Sequence, residues 1–290
     1  MSAAASFGRV TLEVAAHDAE RAAALLSAAS GVAAAAEQRE GSDTASVSVY
    51  MAPAVTASTV RRVHAALHAL QKDDELRHAP LTGGRVRRRE WATVWRAFFK
   101  THLLAPRMYV VPPWERAAKG RNGDTLVIEP GMAFGTGLHA TTKLAARLLL
   151  QHVRSDDIVI DAGCGSGILA LAAARRGARV YAYDADADAI DAAMRNFAAN
   201  RVKAERITRA TRVPAQFPNA HVIVANIDLP TLSAHARDLR AALARGGVLV
   251  TSGVTARGRL EVLACFAGAG LEFISEHRLG EWFAYVHVRS

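Results

Sequence analysis

The chain has 290 residues and a formal net charge of +9, with 51% hydrophobic and 22% charged side chains. That composition describes a globular protein with room for two domains. Its longest apolar runs, residues 144–150 and 168–174, fall well short of the roughly 20 residues that a membrane-spanning helix needs.

Residues 1–10 carry one basic side chain and no continuous apolar core, unlike a secretory signal, so a cytoplasmic location without membrane association is expected. Cys164 and Cys265 are too few and too distant for a disulfide framework or a metal-ligand cluster, and reduced thiols and no metal site are expected. The positive charge is unevenly spread: residues 1–80 carry −2, residues 81–129 carry +6 and residues 130–290 carry +5. Where it is densest, Arg85, Arg87, Arg88 and Arg89 form a candidate contact for ribosomal RNA or an acidic protein face.

In chain order, residues 7–14 partly alternate apolar and polar as a half-buried strand does, and residues 18–29 carry apolar side chains at helical spacing. A strand over 31–38, an alternating strand over 45–51 and a helix over 57–70 follow. The order β-α-β-β-α suits a small ferredoxin-like α+β domain spanning residues 1–80, although no last strand is evident before residue 80. Residues 71–89, polar and basic with Pro80 and Gly83-Gly84, read as a connection. Trp91, Trp95, Phe98 and Phe99 then recur at helical spacing, so residues 81–100 divide into a basic linker and an aromatic helix. From residue 125, strand-like runs at 125–129, 158–161, 180–184, 222–225, 248–252 and 283–288 alternate with helical ones. This is the pattern of a doubly wound, Rossmann-like α/β domain, placed over residues 101–290.

The strongest chemical signal is IVIDAGCGSGILALAAARRGARVYAYDAD, from Ile158, which reads strand, glycine-rich turn, helix, strand, acidic end. Gly163, Gly165 and Gly167 permit a sharp turn and close approach of a ligand to the backbone, because none carries a Cβ. Asp184, 21 residues after Gly163, stands where a carboxylate accepts hydrogen bonds from an adenosine ribose. A dinucleotide fingerprint has its third glycine at the sixth position, but here Gly167 is fifth and the bulky Ile168 sixth. The HVIVANIDLP segment supplies a second strand ending in an amide, Asn226, and EPGMAFGTGLHATT supplies a glycine- and threonine-rich loop upstream.

The DAGCGSG turn resembles the first motif of class I S-adenosylmethionine-dependent methyltransferases, with Asp184 in the place of their ribose-binding acid. Together with WATVWRAFFK, YVVPPWE, EPGMAFGTGLHATT, VANI and SGV, it is similar to the PrmA family over most of residues 90–290. The resemblance implies a class I catalytic domain and a small N-terminal domain for substrate recognition. It implies S-adenosyl-L-methionine as cofactor and, as partner, the eleventh protein of the large ribosomal subunit, methylated on lysine or N-terminal amino groups. Cofactor binding is carried onto Thr142, Gly163, Asp184 and Asn226, joined by Gly165, Thr136 and Phe134. Asn226 is assigned to substrate positioning and Phe134 to loop closure. His139 reads as loop structure in preference to a general base. Glu129, Leu138, Ala140 and Asp228 depart from the family pattern. Beside this reading stand a methyltransferase of another protein lysine, RNA or small amine, and a non-catalytic module that binds ribosomal RNA during assembly.

Overall fold

A computed structural model describes residues 6–19, 22–23, 26, 34–38, 42–51, 81–87, 100–115, 123–129 and 135–290. They form two compact units, the first within residues 1–100 and the second within residues 101–290.

The first unit is built on a four-stranded sheet in the order β2-β3-β1-β4: β1 is Ser6–Ala15, β2 Ala34–Gln38, β3 Thr44–Met51 and β4 Leu81–Arg87. All three pairings are antiparallel. Successive side chains on a strand point to opposite faces. The register Leu12↔Val47, Val10↔Val49 and Val14↔Ala45 therefore gathers the apolar residues on one side. Ala19, Ala22 and Leu26 pack against them from a helical stretch, buried with Leu12, Val14, Val47 and Val49. On the opposite face Thr11 and Ser48, paired in register, share a buried hydroxyl hydrogen bond of 2.9 Å.

This strand order and pairing are those of a ferredoxin-like sheet. The fourth strand lies where sequence periodicity gave a basic connection: Leu81–Arg87 is an edge strand on β1, with Leu81 opposite Leu12 and Arg87 opposite Ser6. The linker reading of residues 81–87 is thus corrected. The Gly83-Gly84 pair and the arginines lower strand propensity, and pairing with β1 overrides it. The helix expected over 57–70, Arg88, Arg89 and the aromatic helix lie outside the described residues.

The second unit begins with a small three-stranded sheet, β5 (His102–Ala105), β6 (Met108–Val111) and β7 (Asp124–Val127). The strand expected over 125–129 belongs here, pairing with β6 and not with the main sheet. That main sheet has seven strands in the order β10-β9-β8-β11-β12-β14-β13. They are β8 (Ile158–Ala162), β9 (Arg179–Asp184), β10 (Arg206–Arg209), β11 (Ala220–Asn226), β12 (Leu243–Thr255), β13 (Glu272–Leu279) and β14 (Trp282–Val288). The first five in spatial order are parallel, whereas β14 is antiparallel to both β12 and β13.

Among the described residues, five α-helices accompany these strands: α1 (Ala140–His152), α2 (Ile168–Ala174), α3 (Ala187–Ala199), α4 (Leu229–Ala242) and α5 (Arg259–Gly268). Helix α2 is apolar all round, and Ile168–Ala173 are all buried, so it is a core helix rather than an amphipathic cover. Helix α3 is capped by Asp186, whose carboxylate accepts from the Asp188 N–H at 3.0 Å, and α4 by Asp228, which accepts from the Thr231 N–H at 2.9 Å. The departure from the family pattern at residue 228 therefore has a local structural role. Ile160, Ile223, Leu249, Leu232, Leu239 and Phe266 form the core between sheet, α4 and α5. Among the described residues no helix is long and apolar enough to cross a membrane.

Strand order reverses at β8, leaving a crevice between the carboxyl ends of β8 and β11, the place where open α/β sheets bind ligands. The first unit's separate core sets a stability expectation. Leu12→Ala removes a side chain buried at the centre of the small sheet and should lower unfolding free energy by about 2–5 kcal/mol in urea titration.

Candidate nucleotide site at the carboxyl ends of the parallel strands

Between β8 and α2 the chain turns through Gly163, Gly165 and Gly167, with φ of 73°, 52° and 76°. Side chains rarely tolerate this left-handed region. Gly163 has a second reason to lack a side chain: a Cβ there would meet Ile227 Cγ2 at 2.4 Å. The N–H groups of Gly163 and Cys164 both donate to the Tyr183 carbonyl, at 2.9 and 3.0 Å, tying the turn to β9.

Asp184, half-buried at the end of β9, completes that tie. Its Oδ2 accepts from the Gly165 N–H and its Oδ1 from the Asp186 N–H, each at 2.9 Å. A carboxylate offers about four lone-pair positions, so this one retains acceptor capacity for vicinal hydroxyls. On the other side of β8, Ala225 of β11 pairs in register with Ala162, which brings Asn226 beside the turn. The Asn226 side-chain N–H donates to Thr142 Oγ1 at 3.3 Å, and Thr142 is buried in the first turn of α1. Gly253, after the paired Ser252, is also left-handed, and a Cβ there would lie 2.4 Å from the Ile227 carbonyl. The segment following Asn226 is therefore gripped between two glycines.

The structure thus joins Gly163, Gly165 and Asp184 by backbone hydrogen bonds and Asn226 to Thr142 by a side-chain bond. Thr136 is half-buried beside Gly135, whose carbonyl accepts from Ser166 Oγ at 2.5 Å. Phe134 lies outside the described residues. His139 is the N-cap of α1: its Nδ1 accepts from the Thr141 N–H at 3.4 Å and lies 2.7 Å from Thr141 Oγ1. Its ring packs edge-on to Trp282 with centroids 4.9 Å apart. Burial, aided by Lys143, pushes its pKa down to about 4, which suits a neutral cap and disfavours a strong base.

Four residues escaped the sequence reading. Asp161, before the glycine turn, is buried, and its Oδ2 accepts from the Ala170 N–H at 2.9 Å. Burial pushes its pKa up to about 7; the Ala170 bond opposes the shift and the negative charge of Asp184 reinforces it. Ser166 sits inside the turn. Asn196 and Asn200 face β7: Asn196 Oδ1 accepts from the Glu129 N–H at 2.9 Å, and Asn200 exchanges bonds of 2.8 and 2.6 Å with the Val127 N–H and carbonyl. Their four-residue spacing puts both on one helix face, a signal visible in the sequence but ordinarily read as solvated surface.

The Asp161 environment makes stability depend on pH. Its folded pKa lies above the unfolded value, so the folded chain retains a proton between about pH 4 and pH 7 that the unfolded chain releases. This group's favourable contribution is present at the acid end and lost as pH rises to about 7. The stability of Asp161→Asn relative to the parent protein should therefore rise from pH 4 to pH 7 in denaturant titrations. A constant difference across that range would refute the assignment.

Comparison with known proteins agrees with this architecture. The profile of the family described as ribosomal protein L11 methyltransferase (PrmA) matches residues 6–290. A ribosomal protein L11 methyltransferase from Chloroflexus aurantiacus is 36% identical over 249 residues, covering 77% of this chain and 76% of that protein. One from Geobacter metallireducens is 39% identical over 206 residues, covering 70% and 68%. The crystal structure of ribosomal protein L11 methylase from Lactobacillus delbrueckii subsp. bulgaricus superposes with a TM-score of 0.62 at 27% identity, covering 66% of this chain and all of that one. With its glycine turn, strand-end acid and strand-end amide on a doubly wound sheet, the chain belongs to the ribosomal protein L11 methyltransferase (PrmA) family.

Proposed function

We propose that the protein transfers methyl groups from S-adenosyl-L-methionine to lysine or N-terminal amino groups of ribosomal protein L11. The observation that carries this reading is the arrangement of Asp184, the Gly163–Gly167 turn and the Asn226–Thr142 pair around one crevice. A ribose with two free hydroxyls fits a carboxylate with acceptor capacity to spare, and the glycine turn lets the rest of the cofactor approach the main chain. The cofactor supplies an electrophilic methyl on a sulfonium. The chain supplies alignment.

In that reading Asp184 fixes the ribose, Gly163 and Gly165 keep the turn open to the cofactor, and Thr142 and Thr136 line its far end. Asn226 presents its side-chain carbonyl, whose N–H group is turned toward Thr142, to the incoming amine. With the cofactor held by Asp184 and the glycine turn, Asn226 would align the amine lone pair with the methyl group that the sulfonium would supply. Orientation of this kind lowers such barriers by roughly 7–11 kcal/mol. A lysine must first give up its proton, at a cost of roughly 4 to 5 kcal/mol near neutral pH, since a lysine in water titrates at about 10.4. Desolvation of the bound lysine would reduce that cost by disfavouring the ammonium, without a strong base in the protein. Docking of the protein substrate is assigned to the first unit, following the family resemblance.

Intact-mass spectrometry of purified L11 after incubation with the enzyme and S-adenosylmethionine should show gains in steps of one methyl. Asp184→Ala should abolish them at cofactor concentrations that saturate the parent. Asn226→Ala should lower turnover by at least tenfold when the cofactor is saturating. Absence of methylation despite cofactor binding would exclude L11 as acceptor and favour another protein or RNA. His139→Ala should leave the shape of the pH–rate profile unchanged, since a side chain neutral down to about pH 4 and engaged in a cap does not change its protonation near neutrality. Loss of a profile limb in that variant would reinstate it as a base.

A further inference from the structure

Beyond the predicted site residues, two buried side chains bind both flanks of residues 130–134 to the same point of the glycine turn. On one flank, the Glu129 N–H donates to Asn196 Oδ1 at 2.9 Å, and Asn196 passes the tie on by donating from Nδ2 to the Ser166 carbonyl at 2.9 Å. On the other flank, Ser166 Oγ donates to the Gly135 carbonyl at 2.5 Å. Ser166 and Asn196 are 3% and 1% exposed, so water does not compete for these bonds. The fit is tight: a Cβ at Gly135 would come within 2.7 Å of Ser166 Oγ.

Asn196 also sits on α3, the helix that begins directly after Asp184 and Asp186. Asp184 at the end of β9 and Asn196 toward the far end of α3 are thus joined through the short connection that Asp186 caps. Asn200 extends the attachment by satisfying both polar backbone groups of Val127, and its Nδ2 also donates to the Asn196 carbonyl at 2.7 Å.

We propose that Asn196 and Ser166 are positioning residues that hold the Glu129 and Gly135–Thr142 segments in register with the glycine turn, and thereby set affinity for the amino-acid end of the cofactor without affecting its nucleoside end. The nucleoside end depends on Asp184 and Gly165, which neither side chain touches in the bonds above. The inference rests on the crevice being an S-adenosylmethionine site.

The test is calorimetric titration of the full-length protein and its Ser166→Ala and Asn196→Ala variants with S-adenosylmethionine and, separately, with adenosine. The parent must bind S-adenosylmethionine; if it does not, the reading of the site and this inference fall together. The expected result is at least a tenfold loss of affinity for S-adenosylmethionine in both variants, with adenosine affinity within twofold of the parent. Unchanged adenosine binding also shows that the variant is folded. Ser166→Ala, which removes one hydroxyl and keeps the backbone, covers the case in which Asn196→Ala unfolds. Equal losses for both ligands, or no loss for either, in Ser166→Ala would overturn the assignment while leaving the cofactor site intact. Ser166→Thr, which restores a hydroxyl, should recover S-adenosylmethionine affinity relative to Ser166→Ala, and a failure to recover any would likewise count against it.

Discussion

The hydrogen bond from the Gly165 N–H to Asp184 is the constraint on which the rest of the site depends, because it binds the turn leaving β8 to the end of β9, 19 residues further along the chain. Parallel β8 and β9 fix the distance between their carboxyl ends, and the bond fixes how the connection leaving β8 must bend. Only a left-handed turn delivers that N–H to the carboxylate, and glycine adopts it at low cost. Once the turn is set, α2 follows at a fixed direction, α3 starts three residues beyond the acid, and Ser166 faces Gly135. Local conformation, sheet geometry and ligand chemistry meet in one backbone contact.

Buried polar groups around this contact divide the electrostatic work. Asp161 keeps a proton toward neutrality because its surroundings cannot solvate a second carboxylate beside Asp184. Asp184, nearer solvent and bonded by two N–H groups, carries the accessible acceptor atoms. His139 stays neutral and serves the helix end. Asn226 and Thr142 provide a neutral counterpart on the opposite side of β8.

Much of this was legible in the residues. Four of the five parallel strands, β8, β9, β11 and β12, show in the sequence as short apolar runs, and the spacing of Gly163, Gly165, Gly167 and Asp184 marks the turn and the acid that its Gly165 N–H meets. What escaped were elements whose stability is nonlocal. Residues 81–87 have the composition of a connection and become a strand because β1 offers an unpaired edge. Residues 206–209 and 272–279 lie partly exposed at opposite edges of the main sheet, the second with Phe273, Ile274 and Leu279 open to solvent, where one-sided pairing suffices. Asn196 and Asn200 look like ordinary polar positions of an exposed helix. Their partners, the backbone of residues 127–129, lie about 70 positions earlier, and no period in the sequence records that meeting.

The place of β14 in the main sheet has a consequence for biosynthesis. Although last in sequence, it is not at the edge: it lies between β12 and β13 and pairs with both. While the chain is being made, β12 therefore presents a row of unpaired N–H and carbonyl groups, and β13 has no neighbour, until residues 282–288 are synthesised. The crevice at the carboxyl ends of β8 and β11, with the Asn226–Thr142 pair beside it, is complete in sequence some sixty residues earlier. Completion of the strand-end crevice and protection against edge-to-edge aggregation are thus separated in time, and a nascent chain stalled between them holds the glycine turn, Asp184 and Asn226 on a sheet that still lacks its closing strand.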